Sequence, residues 1–566
     1  MRRLLAVLPI LLFSCTPPRA DVFRGFEEEY WDKWLQANPS IATSVGIHSY
    51  DAMLEDFSAK AVQQREATLT RLLDRLQKLT GLTPEEVIDG EILRAAIRAE
   101  LLEIQEVQSW KHNPMMYVGT PGGAVDALMK RDFAPKAKRL ESVIHRLQEL
   151  PNVIKAMKEN VDNPPREFTD LAIRMASGSV GFYKETVAAW ARDASGGDPR
   201  LNGWFEKANA GAIAAMEDAA RWLKADLLPR SKGNFAIGSA LFARKLKYEE
   251  MVDTPLDRIL AIGEANLEKD YQAFVETARR IDPKKTPAQV MADISKDHPT
   301  EADLIPATRR TLNSIRQFLI DRNIIELPND LLPKVEETPP YARSGSFASM
   351  DTPGAYESVA KEAFYYVTPP EKDWDAKHKE EHLRLYNKPV MDIITIHEVF
   401  PGHFTQFIFA NKFPTKTRKL YSCGSNAEGW AHYTEQMMIE EGFSNGDLKL
   451  KLAQLSEALL RDARYVVGIK LHTQGMTVEQ GARVFVEKGF QEPANAYEEA
   501  RRGAYNPTYL YYTLGKLQVY KLRQDYKEAK GQAFSLAQFH ADFVKQGAIP
   551  IKLIRRILLG ADGQSL

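Results

Sequence analysis

His397, Glu398 and His403 stand together in His397-Glu398-Val399-Phe400-Pro401-Gly402-His403, and 25 positions later Glu428 follows in Asn426-Ala427-Glu428-Gly429-Trp430. Two imidazoles, one carboxylate base and one further carboxylate are the parts of a hydrolytic zinc centre, which uses three protein ligands and keeps one position open. In the compact HExxH arrangement the two histidines sit four apart on one helical face, and the intervening glutamate is the general base for the attacking water. Here the histidines are six apart. An unbroken helix would turn by about 600° over that span and leave the imidazoles about 120° apart. Pro401 has no N–H for the His397 carbonyl, and Gly402 admits backbone angles closed to other residues. A helix that bulges by two residues there would return His403 to the face of His397.

The third ligand is expected from another helix. Glu428, His432 and Glu435 share one face at i, i+4 and i+7. Glu428 is the expected ligand and His432 its competitor; otherwise His432 is a partner of a ligand or a packed core histidine. Ile393, Ile394, Ile396, Phe400, Phe404, Phe407 and Ile408 surround the motif. An acid and two imidazoles set among such residues need a metal or hydrogen bonds to compensate their burial. A nominal second pair, His378 and His382, lies in the charged run Lys377-His378-Lys379-Glu380-Glu381-His382 and reads as a solvated helix face. No Glu-x-x-His pair occurs among the 11 histidines, which argues against a carboxylate-bridged di-iron bundle. GxxxxGK[ST] and GxGxxG are absent too, so nucleotide and dinucleotide readings lack their usual support.

The elements that must position these residues read as helices. Leu69, Leu72, Leu73, Leu76 and Leu79 recur with helical spacing, as do Leu448, Leu452, Leu455, Leu459, Ala463 and Val466. Thr83-Pro84-Glu85-Glu86, Thr286-Pro287-Ala288-Gln289 and Thr477-Val478-Glu479-Gln480 each read as a helix start with a reciprocal cap. Strand signals are sparse: Phe364 to Thr368 is the best and Asn234 to Leu241 a weaker one. Breaks fall at Asn163-Pro164-Pro165, at residues 194–203 and at Pro328 to Pro340. The fold class is thus all-α with one short β element, organised as residues 1–20, a helical half over 21–340 and a helical half over 341–566 that carries the chemistry.

Residues 1–20 carry an export signal. Met1-Arg2-Arg3 is followed by an apolar run from Leu4 to Phe13 that is too short to span a bilayer as a helix. The run ends in Leu12-Phe13-Ser14-Cys15, which resembles the lipobox of bacterial lipoproteins and implies lipidation of Cys15. The expected location is the cell envelope, lipid-anchored on the periplasmic side, with the outer membrane the expected host. Cys423 would then be the one thiol left, so no internal disulfide can form. A formal net charge of -1 and a pI of about 6.9 give no electrostatic footprint for nucleic acid.

The HEVFPGH segment, with Glu428-Gly429-Trp430, resembles the bacterial family catalogued as domain of unknown function 885. That family is similar to the zinc peptidases whose third ligand is glutamate, such as neurolysin, angiotensin-converting enzyme and the thermostable carboxypeptidases. The resemblance implies a two-lobed helical fold with a deep central cleft, zinc on its floor and a peptide as substrate. It implies His397, His403 and Glu428 as ligands, Glu398 as base and, from Tyr512-Thr513-Leu514-Gly515, Tyr512 as the hydroxyl that stabilises the oxyanion. Tyr509 and Tyr511 read as an aromatic helix face. One departure is Gly468-Ile469-Lys470-Leu471-His472, where many relatives have Asp-Thr-Gly-x-His. An acid that could orient a ligand imidazole is missing there, and Glu435 or Asp462 would have to substitute.

In the related peptidases a short strand beside the metal helix pairs with the substrate backbone. Tyr365 or Tyr366 would then line the cleft while the other enters the core. Arg343, Arg501, Arg502 and Lys516 are candidate, unassigned partners for a terminal carboxylate. The expected function is zinc-dependent hydrolysis of small or unstructured peptides in the envelope. The alternatives are a metal-dependent amidase acting on cell-wall peptides and a non-catalytic helical binding lipoprotein.

Overall fold

Thr83, Thr286 and Thr477 each accept a hydrogen bond from the backbone N–H three residues on, and the side chains of Glu86, Gln289 and Gln480 accept one from the capping residue's own N–H. All three helix starts therefore stand where the sequence puts them. The computed structural model describes residues 19–328, 331–339, 343, 347–564 and 566. The lipidation candidate Cys15 and most of the export signal lie outside the described residues.

The described chain is predominantly helical. Five helices carry the candidate site and the residues that orient it: α1 (Lys388–Glu398), α2 (His403–Ala410), α3 (Gly424–Glu440), α4 (Leu448–Thr473) and α5 (Tyr511–Lys530). The stripe on α4 is buried at Leu452, Leu455, Leu459, Ala463 and Val466, and Leu69, Leu72 and Leu76 are buried on the helix Ala59–Gln77. Among the described residues no helix is long and apolar enough to cross a membrane.

Phe364–Val367 is a strand, as expected, but it has two partners that the sequence did not mark. Lys334–Glu337 (β1), Ala348–Asp351 (β2) and Phe364–Val367 (β3) form a sheet in the order β1-β3-β2. β1 runs parallel to β3, with Lys334 opposite Phe364, and β2 runs antiparallel, with Ala348 opposite Val367. β1 lies inside the stretch Pro328 to Pro340 that reads as a break. Because β3 is central, both its hydrogen-bonding edges are occupied. The expectation that it pairs with a substrate backbone is corrected on that ground. Alternation buries Tyr365, whose hydroxyl meets Thr395 Oγ1 at 3.2 Å, and leaves Tyr366 half-buried on the opposite face.

The weaker strand at Asn234 to Leu241 is also corrected. Asn234 Oδ1 accepts the Ala236 N–H at 2.9 Å and Gly238 has φ +80°, so the chain turns there and enters the helix Gly238–Glu249. One apolar cluster is drawn wholly from residues 54–227. Two others join residues on both sides of position 340: Ile88 and Leu304 with Trp430 and Phe543, and Phe274 with Leu459 and Leu514.

Candidate metal centre

α1 starts on Asn387, whose side chain accepts the Val390 N–H, with Pro389 in the first turn where its missing donor costs nothing. It buries Met391, Ile393, Ile396 and His397 and stops at Glu398. The chain does not bulge and continue; it breaks, passes a cis Phe400–Pro401 peptide, and starts again as α2 at His403. The Gly402 N–H reaches back to the Ile396 carbonyl at 3.1 Å and the Thr405 N–H to that of Val399 at 3.4 Å, closing the break with hydrogen bonds. A Cβ at Gly402 would stand 1.8 Å from the His397 carbonyl oxygen, so no other residue fits. Trp430 of α3, fully buried, donates its indole N–H to the Pro401 carbonyl at 2.9 Å and holds the turn from the far side.

The break brings the two imidazoles together, with ring centroids 4.7 Å apart and planes at 88°. His397 Nε2 lies 3.5 Å and His403 Nε2 3.3 Å from the same Glu428 oxygen, Oε2. The three donor atoms lie within 4.8 Å of one another, the arrangement needed to hold a metal ion. Burial opposes ionisation of Glu428, yet the His403 and His397 imidazoles hold its carboxyl well below the usual carboxylate range. Burial also works against a proton on His397, but hydrogen bonds to Glu428 and Glu435 lift that imidazole to about 9. These three ligand candidates converge, whereas His378 and His382 do not. His378 is exposed against Asp375 and His382 meets the Thr368 carbonyl.

Glu435 takes the orienting role that the sequence left between two acids. It is fully buried, with Oε1 2.6 Å from His397 Nδ1 and Oε2 3.0 Å from His432 Nδ1, while Arg461 Nη2 lies 3.4 Å from Oε1. Burial again opposes the charge, and Arg461 and His432 hold the Glu435 carboxyl well below its ordinary value. A carboxylate that accepts the Nδ1 proton leaves Nε2, on the side of Glu428, as the ring nitrogen whose proton a metal would displace. His432 is therefore a partner behind the donor set, and burial drives its imidazole down to about 3. Asp462 instead accepts from Asn266 at 2.9 Å and Thr513 at 2.8 Å, and burial raises it to about 7. His472 is a core residue whose Nε2 meets the Gly503 carbonyl. Arg461 had no signal in the sequence, because it reaches Glu435 from α4.

Glu398, the last residue of α1, is half-buried and close enough for its charge to act on the Tyr365 phenol. Tyr512, on α5, is placed by a backbone crossing. A Cβ on Gly515 would stand 1.7 Å from the Ser425 carbonyl oxygen, so α5 and α3 touch main chain to main chain. One turn before that contact Tyr512 is 8% exposed, and burial and the charge of Glu428 raise its phenol. Arg461 and Arg464 stand over its ring at 5.6 and 5.2 Å. Tyr509 is core, and Tyr511 packs beside Tyr512 at 5.0 Å. Of the candidate cations, Lys516 is buried 3.4 Å from Asp270, Arg343 bonds the Thr338 carbonyl and Arg501 meets Glu498. Arg502 is the one whose charge acts on Tyr512.

A solved structure from Shewanella oneidensis, described as "a putative lipoprotein of unknown function", is 26% identical. The match covers 95% of this chain and 99% of that one, with a TM-score of 0.81. A second, described as "the putative lipoprotein from Colwellia psychrerythraea", shares the fold at 16% identity, covering 96% and 99% with a TM-score of 0.83. No curated protein matches the chain. The sequence pattern of DUF885, a bacterial protein family of unknown function, matches residues 39–558, and the chain belongs to that family.

Proposed function

We propose that this protein is a zinc-dependent peptidase tethered in the cell envelope. The observation that carries the reading is the pair of Nε2 atoms at 3.5 and 3.3 Å from one Glu428 oxygen. Tetrahedral zinc with bonds of about 2.0–2.1 Å separates its ligand atoms by about 3.3 Å, and both Nε2–Oε2 separations match that span. His397, His403 and Glu428 would hold it, and Glu435 would keep the His397 lone pair aimed. Donors that are two neutral imidazoles and one carboxylate favour zinc over the hard oxygen-binding cations.

When bound, zinc supplies a Lewis acid that polarises the substrate carbonyl and acidifies water. Glu398 takes a proton from the attacking water and returns it to the leaving amine. The Tyr512 hydroxyl donates to the oxygen on which negative charge develops, a contribution of about 2.7–4 kcal/mol for a well-placed donor. The peptide bond as the scissile group rests on the resemblance of HEVFPGH and Glu428-Gly429-Trp430 to the glutamate-liganded zinc peptidases, and so does a two-lobed fold with a central cleft. The tether rests on Leu12-Phe13-Ser14-Cys15, supported by the lipoprotein descriptions of both structural neighbours.

The test is the metal content of the purified protein together with turnover of a mixed peptide library, with and without chelator. About one zinc per chain and chelator-sensitive cleavage are expected. Bound zinc with cleavage only of peptidoglycan fragments would move the reading to an amidase on cell-wall peptides. Absence of both zinc and cleavage would leave a helical binding lipoprotein.

A further inference from the structure

Away from the three converging donors, a cavity of about 330 Å³ opens where Glu103, Ser109, Lys245 and Glu249 meet His472 and Thr508. Its polar chemistry is one-sided. Lys245 Nζ serves both carboxylates, Glu249 Oε1 at 2.5 Å and Glu103 Oε2 at 3.4 Å, so two acids share one ammonium. Glu249 Oε2 receives only the Thr508 hydroxyl at 3.2 Å, and Glu103 Oε1 has no hydrogen-bond partner.

His472 adds a second, independent sign. It is 1% exposed, and its Nε2 lies 2.8 Å from the Gly503 carbonyl, an acceptor, so that nitrogen carries the proton. Burial pushes the imidazole down to about 4, which keeps it neutral at physiological pH. Its Nδ1 is then a lone pair that no hydrogen-bond donor reaches. The two unsatisfied polar atoms of the lining are both acceptors, in a wall whose fixed charge is negative. Buried acceptors left in this state are costly, a carboxylate most of all, and a cationic donor relieves that cost. Burial raises the Glu249 carboxyl, so a second cation beside it would be further stabilising.

We propose that this cavity binds a primary ammonium group, whose three N–H donors match the Glu103 carboxylate, Glu249 and the His472 Nδ1 lone pair. Phe168, Phe235 and Ile237 in the lining give the attached carbon chain an apolar wall. The site uses none of the metal-centre donors and stands whether or not the protein is a peptidase.

Calorimetric titration of the full-length protein with 1,5-diaminopentane, L-alaninamide and pentanoate tests it. A single saturable site for an amine and none for pentanoate are expected; preference between the two amines separates a side-chain ammonium from a peptide N-terminus. Glu103→Gln should weaken the amine at least tenfold. Ser109→Trp, at a half-buried position, should abolish binding by filling the space, with circular dichroism showing both variants folded. Binding should be unchanged in Glu428→Ala, so failure of the metal reading is a separate result. No saturable amine binding, equal binding of pentanoate, or amine affinity unaltered in both cavity variants would overturn the proposal.

Discussion

Gly429 and Gly515 face each other where α3 and α5 cross, so closely that a Cβ on Gly429 would stand 2.3 Å from the Gly515 Cα. Glu428 adjoins the first glycine and Tyr512 lies one turn before the second, so the crossing sets the distance between a metal-ligand candidate and the phenol expected to assist it. A glycine in mid-helix normally costs about 0.5–1 kcal/mol against alanine. Here alanine is the worse residue, because what it would strike is backbone.

Gly515→Ala should therefore destabilise the protein by about 2 kcal/mol or more, the cost of overpacking where nothing flexible can yield. Denaturant unfolding measures this. A neutral or stabilising result would mean the helices do not approach as described.

Glu435→Gln keeps the shape but removes the charge behind His397. Zinc affinity, read by competition with a chromophoric chelator, should fall by about 10–100-fold. Because Arg461 loses its buried counter-charge, the unfolding free energy should fall as well, by up to about 3–5 kcal/mol. Unchanged zinc affinity would remove Glu435 from its assigned role.

Glu398→Gln should bind zinc normally and lose hydrolysis, whereas Glu428→Ala should lose zinc. Full peptidase activity in the Glu398→Gln protein would falsify the assignment of the base.

Tyr512→Phe should retain zinc and the fold and lower kcat by about 10²–10³ with little change in KM, as for loss of one oxyanion donor. A change confined to KM would point to substrate binding instead.

His540 supplies a pH test apart from the metal centre. It is fully buried, its Nδ1 meets the Ile324 carbonyl at 2.8 Å and its Nε2 the Tyr433 hydroxyl at 2.8 Å, and burial holds its pKa at about 3. The folded-state value is depressed, so the unfolded chain binds the extra proton once pH drops below about 6.5. Stability from this residue is complete above 6.5 and lost progressively down to about pH 3, by roughly 5 kcal/mol at most. In His540→Gln, unfolding free energy against pH should have a shallower slope over that window; an identical slope would show that other groups carry the acid sensitivity.

Local signals were the legible ones. Thr83, Thr286 and Thr477 announce their helices because a cap is decided within four residues, and the break at Pro401-Gly402 follows from a missing donor and a missing side chain. Even there, spacing suggests a bulge, while the chain stops one helix and starts another, since Trp430, 29 residues beyond Pro401, supplies the contact that fixes the turn. β1 and β2 escaped notice because four-residue strands are stabilised by their neighbours more than by their own residues. Arg461 escaped for the same reason: its partner Glu435 belongs to another helix, and no spacing rule connects them. His432 and Glu435 were visible as one face of α3, but which of them would stand behind His397 depended on how α3 packs against α1.

The apolar cluster built only from residues 54–227 shares no buried side chain with the helices that carry His397, His403 or Glu428. A body with its own interior can open and reclose on its own schedule. Amide protons in that region should exchange with solvent in a separate kinetic class from those of α1 and α3, and a protease that nicks it would leave the three donors still facing one another.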